Sequence, residues 1–143
     1  TAYEIAQCLV GLGDVYKREV REVRDLSLAD YLVELRGSHI VIDQLYSYSP
    51  ATNALQTMAY GRIAASGAQP EYYGYIGEKS RPVFCLSPLE DDAEIKERLR
   101  ALVSDRQIIA RLSAEGRDLV VRHNDVRNIA PIFEEHWQSR IGK

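Results

Sequence analysis

Cysteine is scarce in this sequence: Cys8 and Cys85 are the only two among 143 residues. They lie inside apolar segments, without CxxC spacing and without a histidine pair nearby, so two reduced, buried thiols are expected. The three histidines, His39, His123 and His136, are too scattered to form a metal site. No apolar run approaches the ~20 residues that a membrane span requires, and no signal-peptide pattern is present. An excess of one charge is also missing. The net charge of −3 offers no electrostatic attraction for nucleic acid. Repeats and low-complexity segments are absent too, which excludes solenoid and disordered architectures.

What is present is ordinary globular composition, with 45% hydrophobic and 27% charged residues, in a length suited to one domain. Charges of both signs interleave, as in Lys17-Arg18-Glu19 and in Glu94 to Arg98, as they do on solvated helix faces. The first residues read as the middle of a helix, with Ala2, Ile5, Ala6, Leu9 and Val10 at helical spacing and Gly11 and Gly13 as stops. Since Thr1 is not a start residue, residues 1–143 are expected to be one domain of a longer protein.

Apolar spacing then alternates between short and long periods. Glu19 to Val23 reads as a short strand. Asp25-Leu26-Ser27 supplies an N-cap for a helix carrying Leu28, Tyr31, Leu32 and Leu35, ended by Gly37. His39 to Asp43 is a compact apolar run of the buried parallel type. A helix with Ala51, Ala54, Leu55, Met58 and Ala59 on one face follows Ser49-Pro50, and Gly61 closes it. Arg62 to Ser66 is another strand, and Pro70 starts a helical turn holding Glu71, Tyr72 and Tyr73. Pro82 to Leu86 is the last strand. From Asp91 onward the chain is helical, with Asn124-Asp125 capping a final helix that bears Ile129, Ile132, Phe133 and Trp137. Strands alternating with helices imply crossover connections and a parallel sheet.

In an open parallel sheet, ligands bind beyond the carboxyl ends of the strands. The loop from Gln44 to Asn53 is the most informative of three such places, the others being Asp25–Ser27 and Gly67–Glu71. It carries Ser47, Ser49, Thr52 and Asn53 into a helix, so hydroxyls and free N–H groups converge at a positive dipole end suited to phosphate. The structural alternative is that these hydroxyls simply cap the helix.

Residues 40–71 run IVIDQLYSYSPATNALQTMAYGRIAASGAQPE. This stretch resembles the nucleotide-sugar half of a GT-B glycosyltransferase of the family 4, or group 1, type. Asn53 to Gly61 is similar to that family's "ALEAMAxGxPVV" helix, and Gly67 to Glu71 to its "GG.PE" loop. Pro88 to Asp105 and the stretch from Arg117 through His123-Asn124-Asp125 to Trp137 resemble its closing helices. The resemblance covers about residues 14–137.

It implies an α/β, Rossmann-like three-layer domain with a mostly parallel sheet and a helical C-terminal tail. Such a domain is one half of a GT-B fold, with its first strand upstream of Thr1. It also implies a nucleotide-diphosphate sugar donor, an N-terminal acceptor domain of the same protein, and retaining hexosyl transfer to a carbohydrate or lipid-linked acceptor in polysaccharide biosynthesis. The expected location is the cytoplasm, with any membrane association through the other domain. No cofactor, metal or nucleic-acid partner is implied.

The candidate nucleotide-sugar site then comprises Tyr48, Ser49, Ala51, Thr52, Asn53 and Gln56, bordered by Asp25 and Glu71. Asp25 would lie where the nucleobase sits, with a plain N-cap as the structural alternative. Glu71 resembles the family's loop glutamate, with first-turn helix acidity as its alternative. The family brackets its loop with two glutamates, whose positions are held here by Tyr48 and Gln56. The amide of Gln56 can still bond a ribose hydroxyl, whereas Tyr48 cannot act as a carboxylate. The family's diphosphate-neutralising Arg and Lys have no equivalent here, so no catalytic residue is assigned, and this chain alone is expected to bind donor without transferring sugar. Tyr46, Tyr48, Tyr72, Tyr73 and Tyr75 either line a cleft or pack against a partner domain, and Trp137 reads as a core or interdomain anchor. Two other classes stay open. One is a non-catalytic nucleotide-sugar module. The other is a receiver-like signalling module built on Asp43, Ser66 and Arg81-Pro82, which lacks the acidic pair that would hold its Mg²⁺.

Overall fold

A computed structural model describes residues 19–44, 46–87 and 90–141. Ser27 starts the first described helix, α1 (Leu28–Gly37), by accepting the Asp30 N–H on its hydroxyl at 3.2 Å. Asp25 is not the cap. It sits two residues earlier at φ 52°, exposed, in the left-handed region that Asp tolerates better than most residues. Strand β1 (Ile40–Ile42) follows, then α2 (Thr52–Ala59), β2 (Ile63–Ser66), α3 (Pro70–Tyr75) and β3 (Phe84–Cys85). Three helices complete the chain: α4 (Asp92–Ser104), α5 (Arg106–Asn124) and α6 (Val126–Ile141). Asp91 and Asp105 cap α4 and α5 through their carboxylates. Gly61, at φ 66°, ends α2 by donating to the Met58 carbonyl at 2.8 Å, the role expected of a glycine just past a helix.

The fold is α/β, and among the described residues the sheet is open, parallel and three-stranded in the order β1-β2-β3. Ile40 pairs with Ile63 and Ala65 with Phe84. The central strand β2 is wholly buried. Alternation along it sends Ile63 and Ala65 to one face and Ala64 to the other. The first face packs Phe84 and Leu86 against Ile95, Leu99 and Leu102 of α4. The second packs Ala54 and Met58 of α2, Tyr73 of α3 and Val83 against Leu119 of α5. Helix α5 serves both, giving Ile108, Ile109 and Leu112 to one face and Leu119 and Val120 to the other. Gly116 is buried where α5 meets α2, because a Cβ there would lie 3.1 Å from Met58 Cγ.

Several expectations are corrected. Residues 19–23 form no strand: among the described residues no neighbouring strand takes up the segment, and Arg21 is engaged with Glu19 and Glu34 instead. Strand β1 is half-buried rather than buried, because among the described residues it pairs on one side only. The last strand is two residues long instead of five. Cys85 is a free, half-buried thiol, not a core residue, whereas Cys8 and the 2–12 helix lie outside the described residues. No side chain of α6 is buried among the described residues. Trp137, 60% exposed beside Phe133, is therefore no core anchor there. Among the described residues, no helix is long and apolar enough to cross a membrane.

A charged clamp joins the loop after α3 to the end of α5. The Glu78 carboxylate accepts from Arg122 at 2.6 and 3.0 Å, and His123 Nε2 lies at 3.2 Å. The Arg122 bonds, chiefly, hold Glu78 well below the carboxylate range, lowering it from 4.5 to about 2. A depressed folded-state value adds stability above pH 4.5 that disappears as pH falls through about 2. Asp125, held by Arg127, also falls to about 2 and titrates in the same window. In acid titrations of stability, the Glu78→Gln variant should therefore show a shallower loss between pH 4.5 and 2 than the parent. Identical slopes would mean that Arg122 does not hold the carboxylate in solution.

Candidate functional site

The carboxyl end of β1 and the start of α2 meet at Asp43 and Asn53. The Asn53 amide donates from Nδ2 to Asp43 Oδ1 at 2.9 Å, and its Oδ1 accepts the Tyr31 hydroxyl from α1. Three elements are thus tied together at one point. The second Asp43 oxygen, Oδ2, and the Thr57 hydroxyl are buried with no hydrogen-bond partner among the described residues. Burial, first of all, raises the Tyr31 phenol above its ordinary value. The Asp43 charge adds to this and the nearby Thr57 hydroxyl opposes it. The phenol therefore remains a protonated donor at neutral pH.

Helix α2 begins without a side-chain cap. Its N-cap is Ala51, in extended conformation with φ −85° and ψ 178°. The first intrahelical bond is Leu55 N–H to Ala51 O at 3.0 Å. Among the described residues, no acceptor takes up the main-chain N–H of Thr52, Asn53 or Ala54. A helix leaves such donors unpaired at its start, and they carry the positive end of its dipole. The Ser and Thr hydroxyls of the loop do not cap them. Ser47 Oγ instead donates to the Ser49 carbonyl at 2.5 Å.

The loop itself is fastened to the carboxyl end of β2. Gly67 N–H donates to Gln44 O at 2.9 Å, and Gln69 N–H to Tyr48 O at 3.0 Å. Gly67 is required by close approach, since a Cβ there would come within 1.6 Å of the Ser47 carbonyl oxygen. This fastening holds Tyr46 and Tyr48 outward, 85% and 82% exposed.

Of the residues read from sequence, Tyr48, Ser49, Ala51, Thr52 and Asn53 lie on one continuous segment at the start of α2. Gln56 is one turn further along the helix, half-buried, and at i+3 and i+4 it shares a side with Asn53 and Thr52. Glu71 is exposed in the first turn of α3, after the loop that contacts Tyr48. Asp25 precedes α1, and among the described residues no hydrogen bond or ion pair joins it to this segment. The Asn53 side chain is occupied by Asp43 and Tyr31, so its main-chain N–H is what it offers outward.

Tyr31 escaped the sequence reading because it fell on the apolar stripe of α1. The signal for it was its hydroxyl, which a half-buried tyrosine has to pair. Asp43 braces the start of α2 through Asn53, ten residues on, a separation that is not a helical spacing and leaves no pattern in the sequence. Among the described residues, no cluster of three His, Cys, Asp or Glu side chains could hold a metal ion. Chemically, this edge can receive an anion on three main-chain donors and a hydroxylated group on the Gln56 amide. Compared with protein-family models, curated proteins and solved structures, the chain matches none.

Proposed function

We propose that this chain is the donor-binding half of a glycosyltransferase, the Rossmann-like nucleotide-sugar domain of a two-domain GT-B enzyme. The observation that carries the reading is the first turn of α2 at the carboxyl end of a parallel sheet, where, among the described residues, no side chain caps the helix and no acceptor takes its first three N–H groups. A diphosphate placed there meets main-chain donors and the positive dipole end without needing a charged side chain. Gln56, on the same side of the helix, is positioned for a ribose hydroxyl. The exposed Tyr48 ring offers a flat apolar surface beside the site. Transfer of a hexosyl group to a carbohydrate or lipid-linked acceptor then belongs to the full-length protein, whose acceptor domain would face this edge. A second reading, a nucleotide-sugar-binding module without catalysis, is favoured by Tyr48 and Gln56 standing where the resembled family carries carboxylates.

Calorimetric titration with UDP, GDP and ADP sugars, paired with amide shifts over residues 47–56, tests the site. Thr52 is the first helical residue, where proline is well accommodated, and extended Ala51 suits the position before a proline. Thr52→Pro therefore removes one N–H donor while leaving the helix intact. Its nucleotide-sugar affinity should fall by roughly two- to tenfold, the worth of one hydrogen bond. Undiminished affinity, or binding that leaves residues 47–56 unmoved, would place the ligand elsewhere.

A further inference from the structure

We propose that Tyr31 is a positioning residue for this site, holding the first turn of α2 in its ligand-ready form through the side chain of Asn53. The inference rests on the diphosphate reading of α2 given above and adds a residue from a different helix to it.

The orientation of the Asn53 amide follows from its neighbours. An ionised Asp43 can only accept, so the face of the amide turned toward it must be the NH2 group, as the 2.9 Å contact from Nδ2 requires. The opposite face is then a carbonyl, and it needs a donor. Tyr31, reaching across from α1, is the donor present. Asp43 Oδ2 makes no hydrogen bond among the described residues, so the Asp43 side chain reaches α2 through Oδ1 alone. Asn53 is therefore the one hydrogen-bonded bridge from the β1 end into α2 among the described residues.

That bridge matters because no side-chain cap holds the helix start among the described residues. Ala51 provides no capping bond, so the first turn is held by its own Leu55 N–H and by Asn53. Removing the Tyr31 hydroxyl leaves Asn53 Oδ1 unpaired in a half-buried setting and frees the amide to turn. The three N–H groups then lose their fixed convergence. Because Tyr31 acts on main-chain donors, its effect falls on the diphosphate alone. Inorganic pyrophosphate and UDP should suffer alike, since neither base nor sugar contacts are involved.

The test uses the full chain as wild type, Tyr31→Phe, Asn53→Ala and the double variant, titrated with UDP and with pyrophosphate. Tyr31→Phe should weaken both ligands by roughly two- to tenfold, and in the Asn53→Ala background it should change nothing further. Without ligand, amide exchange at Leu55 should be faster in Tyr31→Phe than in the wild type, reporting the frayed first turn. Equal losses in both backgrounds would overturn the relay, because Tyr31 would then act without Asn53. Unchanged exchange at Leu55 would also overturn it, whatever the ligands do. Wild-type protein that binds neither ligand, yet shows the exchange difference, would overturn the diphosphate reading and with it the functional meaning of Tyr31, while leaving the structural link standing.

Discussion

Gly67→Ala should unfasten the loop after β1 and cost about 2–4 kcal/mol of stability, the sum of an overpacking penalty and two lost main-chain bonds. The added methyl would sit 1.6 Å from the Ser47 carbonyl oxygen, a backbone atom that has no rotamer by which to withdraw. The chain must therefore move. Movement breaks Gly67 N–H to Gln44 O and strains Gln69 N–H to Tyr48 O, the two bonds that hold residues 44–48 onto the end of β2. Denaturant unfolding should show a lower midpoint with little change in slope. Nucleotide-sugar binding should fall in the same variant, because the displaced loop leads directly into the first turn of α2. A stability within about 0.5 kcal/mol of the parent would mean that the loop does not lie against β2 in solution.

Ala51→Asp should separate stability from binding, raising one and abolishing the other. The position is the N-cap of α2 and already has the extended backbone that a capping residue adopts. An aspartate there would accept from N–H groups of the first turn and interact favourably with the dipole, adding about 0.5–2 kcal/mol. The same carboxylate would occupy the donors that the diphosphate needs and repel its charge. Affinity for a nucleotide sugar should drop by more than tenfold while the melting temperature rises, two outcomes that ordinary damage cannot combine. Ala51→Ser is the neutral companion: it caps with a hydroxyl, adds stability, and should reduce affinity less because it brings no charge. Binding that survives Ala51→Asp intact would remove α2 from the site. On the proposed reading, alanine stands where Ser, Thr, Asp or Asn is usually preferred because a capping side chain would compete with the ligand. Leaving the cap empty weakens the helix start but keeps its donors available.

Much of the architecture was legible before any coordinates. The spacing of Ala54, Leu55 and Met58 with Gly61 behind them marked α2, and the structure ends that helix through Gly61 as expected. The start of α1 at Ser27, its end at Gly37 and the start of α4 after Asp91 were likewise visible, because capping side chains and glycines act within a few residues of where they stand. The strands were read less well. Residues 19–23 look like a strand by composition, yet a strand exists only where a neighbour accepts its hydrogen bonds, and that neighbour is not written in the segment itself. The same reason shortened β3 to Phe84–Cys85. Gly116 carried no local cue at all, since its requirement comes from Met58 on another helix.

The location of the candidate site, at the turn after Asp43, was determined by sequence alone: an apolar strand, a polar loop and a helix start follow one another along the chain, and a parallel sheet places such a turn at its carboxyl edge. Which groups face a ligand there was decided only by tertiary structure. It turned the Asn53 amide inward to Asp43 and Tyr31, left the cap of α2 empty, and made Gly67 indispensable. Local rules act between residues a turn apart, whereas these contacts join residues 10 and 22 positions apart and exist only once the helices have packed on the sheet.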